Sequence, residues 1–187
     1  MAQYGDPTGD QTKGWEGLLA PGEEILWQGR PDGAVVFRPR NLMTFFFGLF
    51  FAGFALFWMI MASQAGGFFW MFGLIHFSVG AGISLGGIFG PAYKRRHTWY
   101  TLSSKRAFIA TDLPLLGKKL KSYPITRETV LEFSDEELAS VHFAQKRKRT
   151  KNGSYLVPIG FDRISDGREV YRMMRDIQRN DRLSDNA

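Results

Sequence analysis

The sequence predicts an α+β membrane protein, a two-helix transmembrane hairpin joined to an antiparallel β-sheet domain that a C-terminal helix closes. Three observations lead there. Seventeen Phe and five Trp occur in 187 residues, and the Phe crowd into positions 45–77, where charge is almost missing. A soluble core would interleave the two kinds, so the segregation points to two solvents. Beyond that stretch, short period-two segments read as strands and end in one amphipathic helix.

In chain order, residues 1–17 are polar and Gly-rich, with Lys13 as their only cation and no apolar run behind it. They read as no signal peptide, and 1–18 is expected to be a disordered tail. Residues 19–41 contain EEILWQG, Glu23 to Gly29, a strand-like piece able to cross back and pair with the later sheet, which makes the domain discontinuous.

The hairpin is placed at 42–90. Leu42 to Ala62 is an uncharged run of 21 residues, about 31 Å as a helix, which matches the hydrocarbon thickness. Gly67 to Gly90 forms the second span, and Ser63 to Gly66 is a link short enough to make the spans antiparallel neighbours. Arg30, Arg38 and Arg40 flank the first span and Lys94, Arg95 and Arg96 the second, while the link is uncharged. The positive-inside rule then puts both termini in the cytoplasm. The alternative, a pair of buried helices in a soluble bundle, is disfavoured because such helices rarely run this long without charge.

Ser78, Gly82, Gly86 and Gly90 recur every four residues and share one helix face. Small residues let backbones approach in lipid, so this face is a candidate packing surface, either within the hairpin or against a second copy or another membrane protein. Gly48 and Ala52 form a shorter version on the first span. His76, near mid-membrane at about the depth of Gly53, is the one ionisable residue in either span. Such residues are functional candidates, through cofactor ligation or proton handling, although a neutral His bonded to a carbonyl or hydroxyl is the simpler reading.

The domain at 97–180 begins with strands Thr98 to Leu102 and Arg106 to Thr111 around a turn at Ser103 to Lys105. Lys118 to Tyr123, Thr129 to Phe133, Leu138 to Ala144 and a segment through Tyr155, Val157, Ile159 and Phe161 follow. Pro158 argues for an edge position or a bulge, and Asn152-Gly153 is a strong hairpin cue. Val170, Met173, Met174 and Ile177 then make one apolar helical stripe behind an Asp166/Glu169 capping-box spacing. Residues 181–187 read as a frayed tail.

Three stretches together resemble the bacterial membrane-anchored pleckstrin-homology-like (bacterial PH domain) proteins: LAPGEEILWQGRP from Leu19, YTLSSKRAFIA from Tyr100 and GFDRISDGREVYR from Gly160. The resemblance implies a strongly bent antiparallel sheet capped by a C-terminal helix, no catalytic residues, and a role in binding or scaffolding at the cell inner membrane. A related group assists assembly of photosynthetic membrane complexes.

Catalysis finds little support in the residues. With no Cys, disulfides and thiolate chemistry are excluded. Gly82-Ile83-Ser84-Leu85-Gly86 matches a hydrolase elbow but lies inside a lipid-spanning helix. His76, His97 and His142 sit on separate elements without metal-ligand spacing. No cofactor or metal site is therefore expected. The strongest functional feature is the run Lys146, Arg147, Lys148, Arg149 and Lys151 beside Asn152-Gly153, with Lys118, Lys119 and Lys121 as a second basic strand. It is either a solvated hairpin end or a contact for anionic lipid or an acidic protein surface. Nucleic acid is a poor fit, since no aromatic platform accompanies it. The expected function is a non-enzymatic membrane-anchored scaffold or assembly factor with a membrane-protein or cytoplasmic partner. The alternative is a small accessory subunit of a larger respiratory or photosynthetic membrane complex; a second copy of the chain is a further candidate partner.

Overall fold

A computed structural model of the chain describes Trp15 and residues 17–37, 39–114, 116–151 and 153–184. Most of the N-terminal tail, Arg38, Asn152 and residues 185–187 lie outside the described residues, as do the side chains of Arg40 and 182–184. The chain divides into two compact units.

One unit is the helical hairpin with its flanks. Helix α1 spans Pro39–Gln64 and α2 spans Phe72–Arg96. Both are longer than the uncharged runs suggest, because the helices continue past the apolar segments into polar flanks. The link also falls later than Ser63 to Gly66. Gly66 and Gly67 adopt φ of 76° and 75°, a conformation that costs little only without a Cβ, and a 3-10 turn at Phe69–Met71 leads into α2. Helix α2 continues through Pro91 despite the missing N–H, and its last turn carries Lys94, Arg95 and Arg96 at the negative end of the helix dipole.

The soluble-bundle alternative fails on exposure. Both helices are long and apolar enough to cross a membrane, yet only 28% and 22% of their apolar windows are buried. Met43, Phe46, Phe50, Phe57 and Ile75 are each more than 60% exposed. A helix pair that left this surface in water would forgo its main source of stability; hydrocarbon solvates it without penalty.

The other unit is the sheet domain. Strand β1 (Ile25–Gly29) lies ahead of the hairpin in sequence and pairs antiparallel with β2 (Thr98–Ser103), which begins just after α2. Strands β3 (Arg106–Leu113) and β4 (Gly117–Pro124) complete a sheet ordered β1-β2-β3-β4. Strands β5 (Glu132–Asp135), β6 (Ala139–Thr150) and β7 (Gly153–Ile164) form the second. Strand β7 is an edge of that sheet, which is where Pro158 is tolerated.

Two differences from the sequence reading have physical causes. The strand expected from Thr129 starts at Glu132, because Thr129 Oγ1 accepts the Thr126 N–H at 2.9 Å and Gln178 Nε2 donates to the Thr126 and Thr129 carbonyls, which makes that segment a pinned turn. Strand β6 runs six residues past Ala144, since its ladder with β7 holds as far as Thr150↔Gly153 although β6 itself is polar on both faces there.

Helix α3 (Gly167–Ser184) closes the core. Its residues Val170, Met174 and Ile177 are buried with Tyr100, Leu102, Val141, Phe143, Phe161 and Ile164, and Met173 packs at the margin. The helix continues through 181–184, so those residues are its last turn and not tail. Asp166, just before the helix, accepts bonds from Trp27 Nε1 at 3.4 Å and Ser165 Oγ at 2.8 Å.

Candidate functional site

The far end of the β6–β7 ribbon gathers the basic run. Register places Lys146 across from Val157, Arg147 from Leu156, Lys148 from Tyr155 and Arg149 from Ser154. Because cross-strand partners share a face, one face carries Lys146, Lys148, Tyr155 and Val157, and the other Arg147, Arg149, Leu156 and Ser154. Lys151 sits in the turn, and all five cations are exposed. Among the described residues none of the five is in an ion pair. Tyr155 and Leu156 are 50% and 56% exposed, so the tip offers apolar surface among cations on both faces. The sequence reading missed this pairing, because it depends on the register between strands. The second basic strand, β4, holds Lys118, Lys119 and Lys121, also exposed, with Lys118 3.8 Å from Asp112.

The hairpin packs through a different set of small residues from the one the four-residue spacing singled out. Ser78, Gly82, Gly86 and Gly90 are exposed, and a Cβ added at any of the three glycines would meet nothing within 4 Å. The contact surface of α2 is Gly73, Gly80, Ser84, Ile88 and Ala92. A Cβ on Gly80 would fall 2.6 Å from Ala52 N, and one on Gly48 2.7 Å from the Gly80 carbonyl. Ser84 Oγ donates to the Phe45 carbonyl at 3.0 Å. The face of Ser78, Gly82, Gly86 and Gly90 is not the one packed within the hairpin, for a simple reason. Alternative small-residue faces exist on α2, and the one that meets Gly48 and Ala52 is decided by α1. Ser84, the serine of the hydrolase-like pattern, is thus a buried helix-to-helix hydrogen-bond donor.

His76 is exposed on the helix pair, with Nδ1 3.4 Å from the Phe72 carbonyl and its ring between those of Phe51 and Phe72. His97 Nδ1 meets the Tyr93 carbonyl at 2.9 Å. His142 Nε2 faces Asp162 Oδ1 at 3.0 Å. The Asp162 hydrogen bond raises the His142 pKa above 6.5 against the opposing effect of burial, and the negative charges of Asp162 and Glu132 reinforce it. The three histidines are not brought together, and among the described residues no group of three His, Asp or Glu side chains is placed to hold a metal.

Two polar clusters owe their pairing to the fold. Glu23 has a fully buried side chain. Its Oε1 accepts from Ser103 Oγ at 2.5 Å and Arg106 Nε at 3.1 Å, and its Oε2 from Arg106 Nη2 at 2.5 Å and the Ala20 N–H at 2.8 Å. The Arg106 hydrogen bond is the main reason its pKa falls to about 2. Arg106 also donates to the Leu18 carbonyl and lies over the Phe108 ring. At another end of the domain, Asp135 pairs with Arg168, and Glu137 lies 3.6 Å from Arg163, a buried residue with φ of 52°. These acidic residues are engaged structurally, beside a shallow cleft that Glu136 and Arg172 also line.

No family model matches this chain. Neither a curated protein nor a solved structure matches it. Its description therefore rests on its own residues: a small membrane-anchored protein with apolar helices and a folded sheet-and-helix domain.

Proposed function

We propose that this chain is a non-enzymatic membrane-anchored binding protein, with its PH-like domain on the cytoplasmic side of a bacterial inner membrane. The basic end of the β6–β7 ribbon is the contact surface, and anionic lipid headgroups are its ligand. One observation carries the reading: five exposed cations, none of them ion-paired among the described residues, share a ribbon tip with exposed Tyr155 and Leu156. Cations near an anionic leaflet contribute about 1 kcal/mol each, and an aromatic and an aliphatic side chain beside them suit the interface between headgroup and acyl chain. Anchoring raises the effective concentration of the domain at the bilayer, so weak contacts suffice to fix its orientation. Two antiparallel sheets and a closing helix agree with the plan that the pleckstrin-homology-like resemblance implies. In such a role the domain would hold a protein partner in position during assembly of a membrane complex.

The absence of Cys makes the test direct. Ser154→Cys gives one attachment point for a polarity-sensitive dye in the full chain, reconstituted in nanodiscs. The expected outcome is a blue-shifted dye in discs with phosphatidylglycerol, a water-like spectrum in phosphatidylcholine discs, and loss of the shift at high salt or when the five cations become Ser. Equal spectra in neutral and anionic discs would remove the lipid reading.

A second reading, a small accessory subunit of a larger respiratory or photosynthetic membrane complex, draws on the outward face of Ser78, Gly82, Gly86 and Gly90, which the hairpin leaves uncovered. Mild extraction with a stable stoichiometric partner would favour it over transient scaffolding.

A further inference from the structure

A notch between α1 and α2 combines an apolar wall with one unsatisfied polar atom. It is a half-open hollow of about 320 Å³ lined by Phe51, Phe54, Trp58 and Phe72, with Ala55 and Gly73 leaving the space and His76 at its side. Ala55 lies nine residues before the end of α1 at Gln64, and His76 four residues after the start of α2 at Phe72, so the notch lies about 6–13 Å in from the link end of the hairpin.

The imidazole is polarised by its neighbour. Nδ1 lies 3.4 Å from the Phe72 carbonyl, and a carbonyl only accepts. With a single proton on the ring, that contact requires it on Nδ1 and leaves a lone pair on Nε2. Among the described residues nothing donates to that lone pair. Water is scarce at this depth, and an unmet polar group in hydrocarbon costs several kcal/mol. A saturated acyl chain would fill the notch and leave the nitrogen unmet. What meets both demands is a flat apolar body for the aromatic walls, with ring stacking and edge contacts, and an O–H aimed at Nε2.

We propose that this notch binds a lipid-phase molecule of the hydroquinone or phenol class, with its hydroxyl donating to His76 Nε2 and its ring held among Phe51, Phe54, Trp58 and Phe72. The size is appropriate, since small-molecule pockets begin at about 300 Å³ and are mainly apolar with few polar groups.

The test uses the full chain in phosphatidylcholine nanodiscs with ¹⁵N-labelled histidine, of which there are three. The probes are tetramethylhydroquinone, tetramethylbenzoquinone and tetramethylbenzene, which share a ring and four methyl groups. Only the first has a hydroxyl to donate. It is expected to shift the unprotonated ring nitrogen of His76 saturably, and the other two to bind about tenfold more weakly, the worth of one hydrogen bond. His76→Phe identifies the resonance and should lower hydroquinone affinity to that of the hydrocarbon. Equal affinity for hydroquinone and hydrocarbon, no saturable shift, or undiminished binding by His76→Phe would each overturn the proposal. Should that variant misfold, the three-probe comparison on the native chain decides.

Discussion

Glu23 is the residue whose charge the sheet domain depends on most directly, and replacing it with Gln tests that dependence. The carboxylate is buried and accepts two bonds from Arg106, one from Ser103 and one from the Ala20 N–H. Gln preserves the shape, gives up the charge, and places an NH2 group where one acceptor oxygen was. A hydrogen bond to a charged group contributes about 1.5–3 kcal/mol. The pKa offers a second measure: it falls from 4.5 to about 2 in the folded chain, which by linkage is about 3 kcal/mol of stability at neutral pH. Both point to a loss of about 2–3 kcal/mol. Because Glu23 holds the segment entering β1, the effect should be local. Amide exchange of Ile25–Gly29 in the nanodisc-embedded chain should quicken by about 30- to 150-fold, while Val141 and Phe161 in the core change much less. The folded pKa is depressed, so the stabilisation is complete above pH 4.5 and fades as pH falls towards about 2. After correction for intrinsic exchange, the native chain and Glu23→Gln should converge there. Unchanged exchange of β1 in Glu23→Gln, or a gap that persists at pH 2, would refute the reasoning.

Three further outcomes follow from close contacts and one ion pair. Thr44 Cγ2 lies 3.2 Å from where a Cβ on Gly87 would stand, so Thr44→Cys with Gly87→Cys should form a disulfide on mild oxidation; adding Gly80→Leu should block it, and adding Gly82→Leu should not, read as gel mobility with and without reductant. Gly160→Ala places a methyl against the Val141 carbonyl and the His142 backbone and should destabilise the sheet domain by about 1–3 kcal/mol, measured as a lower urea midpoint of tryptophan fluorescence. Asp162→Asn should bring the His142 pKa back towards 6.5 in an NMR titration. The pair's stabilising effect is complete below pH 6.5 and is lost as pH rises through the raised value, and an unchanged titration would show that Asp162 is not its cause.

The hairpin was legible because lipid solvation leaves a composition signature: long runs without charge have one good solvent. The face on which the helices meet was not legible, because helical periodicity offers several small-residue faces on α2 and the partner decides among them. Gly80 and Ser84 gain importance only once Gly48 and Ala52 stand opposite. Alternation located the central strands and the outward face of His142, and it stopped at Ala144, beyond which β6 is polar on both faces and only the ladder shows that the strand continues. Glu23 and Glu24 look alike in sequence. Burial separates them, since Glu23 meets Arg106 and Ser103 some 80 residues away, and no local pattern encodes that encounter. The notch at His76 was half visible: the lone histidine stood out, while the hollow beside it depends on which side chains of the other helix it faces.

The order of pairing also constrains membrane topology without appeal to charge. Strand β1 precedes α1, β2 follows α2, and the two strands are hydrogen-bonded neighbours. A chain that crossed the bilayer once, or an odd number of times, between Gly29 and Thr98 would leave them in different compartments. The hairpin must therefore enter and leave on one side. Its own flanks are tied in the same sense: Arg95 donates to the Asp32 and Ala34 carbonyls at 2.8 and 2.6 Å, and Arg96 to the Gly33 carbonyl at 3.1 Å. These arginines thereby bind the segment ahead of α1 to the end of α2. The same cations that the positive-inside rule weighs in orienting the hairpin thus act as a clamp, and a substitution there would disturb two things at once. Arg95→Gln keeps donors and removes charge, whereas Arg95→Leu removes both. If the clamp is the larger effect, a cysteine at Gly33 paired with one at Arg96 should crosslink in Arg95→Gln and fail to in Arg95→Leu, with membrane orientation unchanged in both; inversion of orientation in Arg95→Gln would show that the charge of Arg95 matters more than its hydrogen bonds.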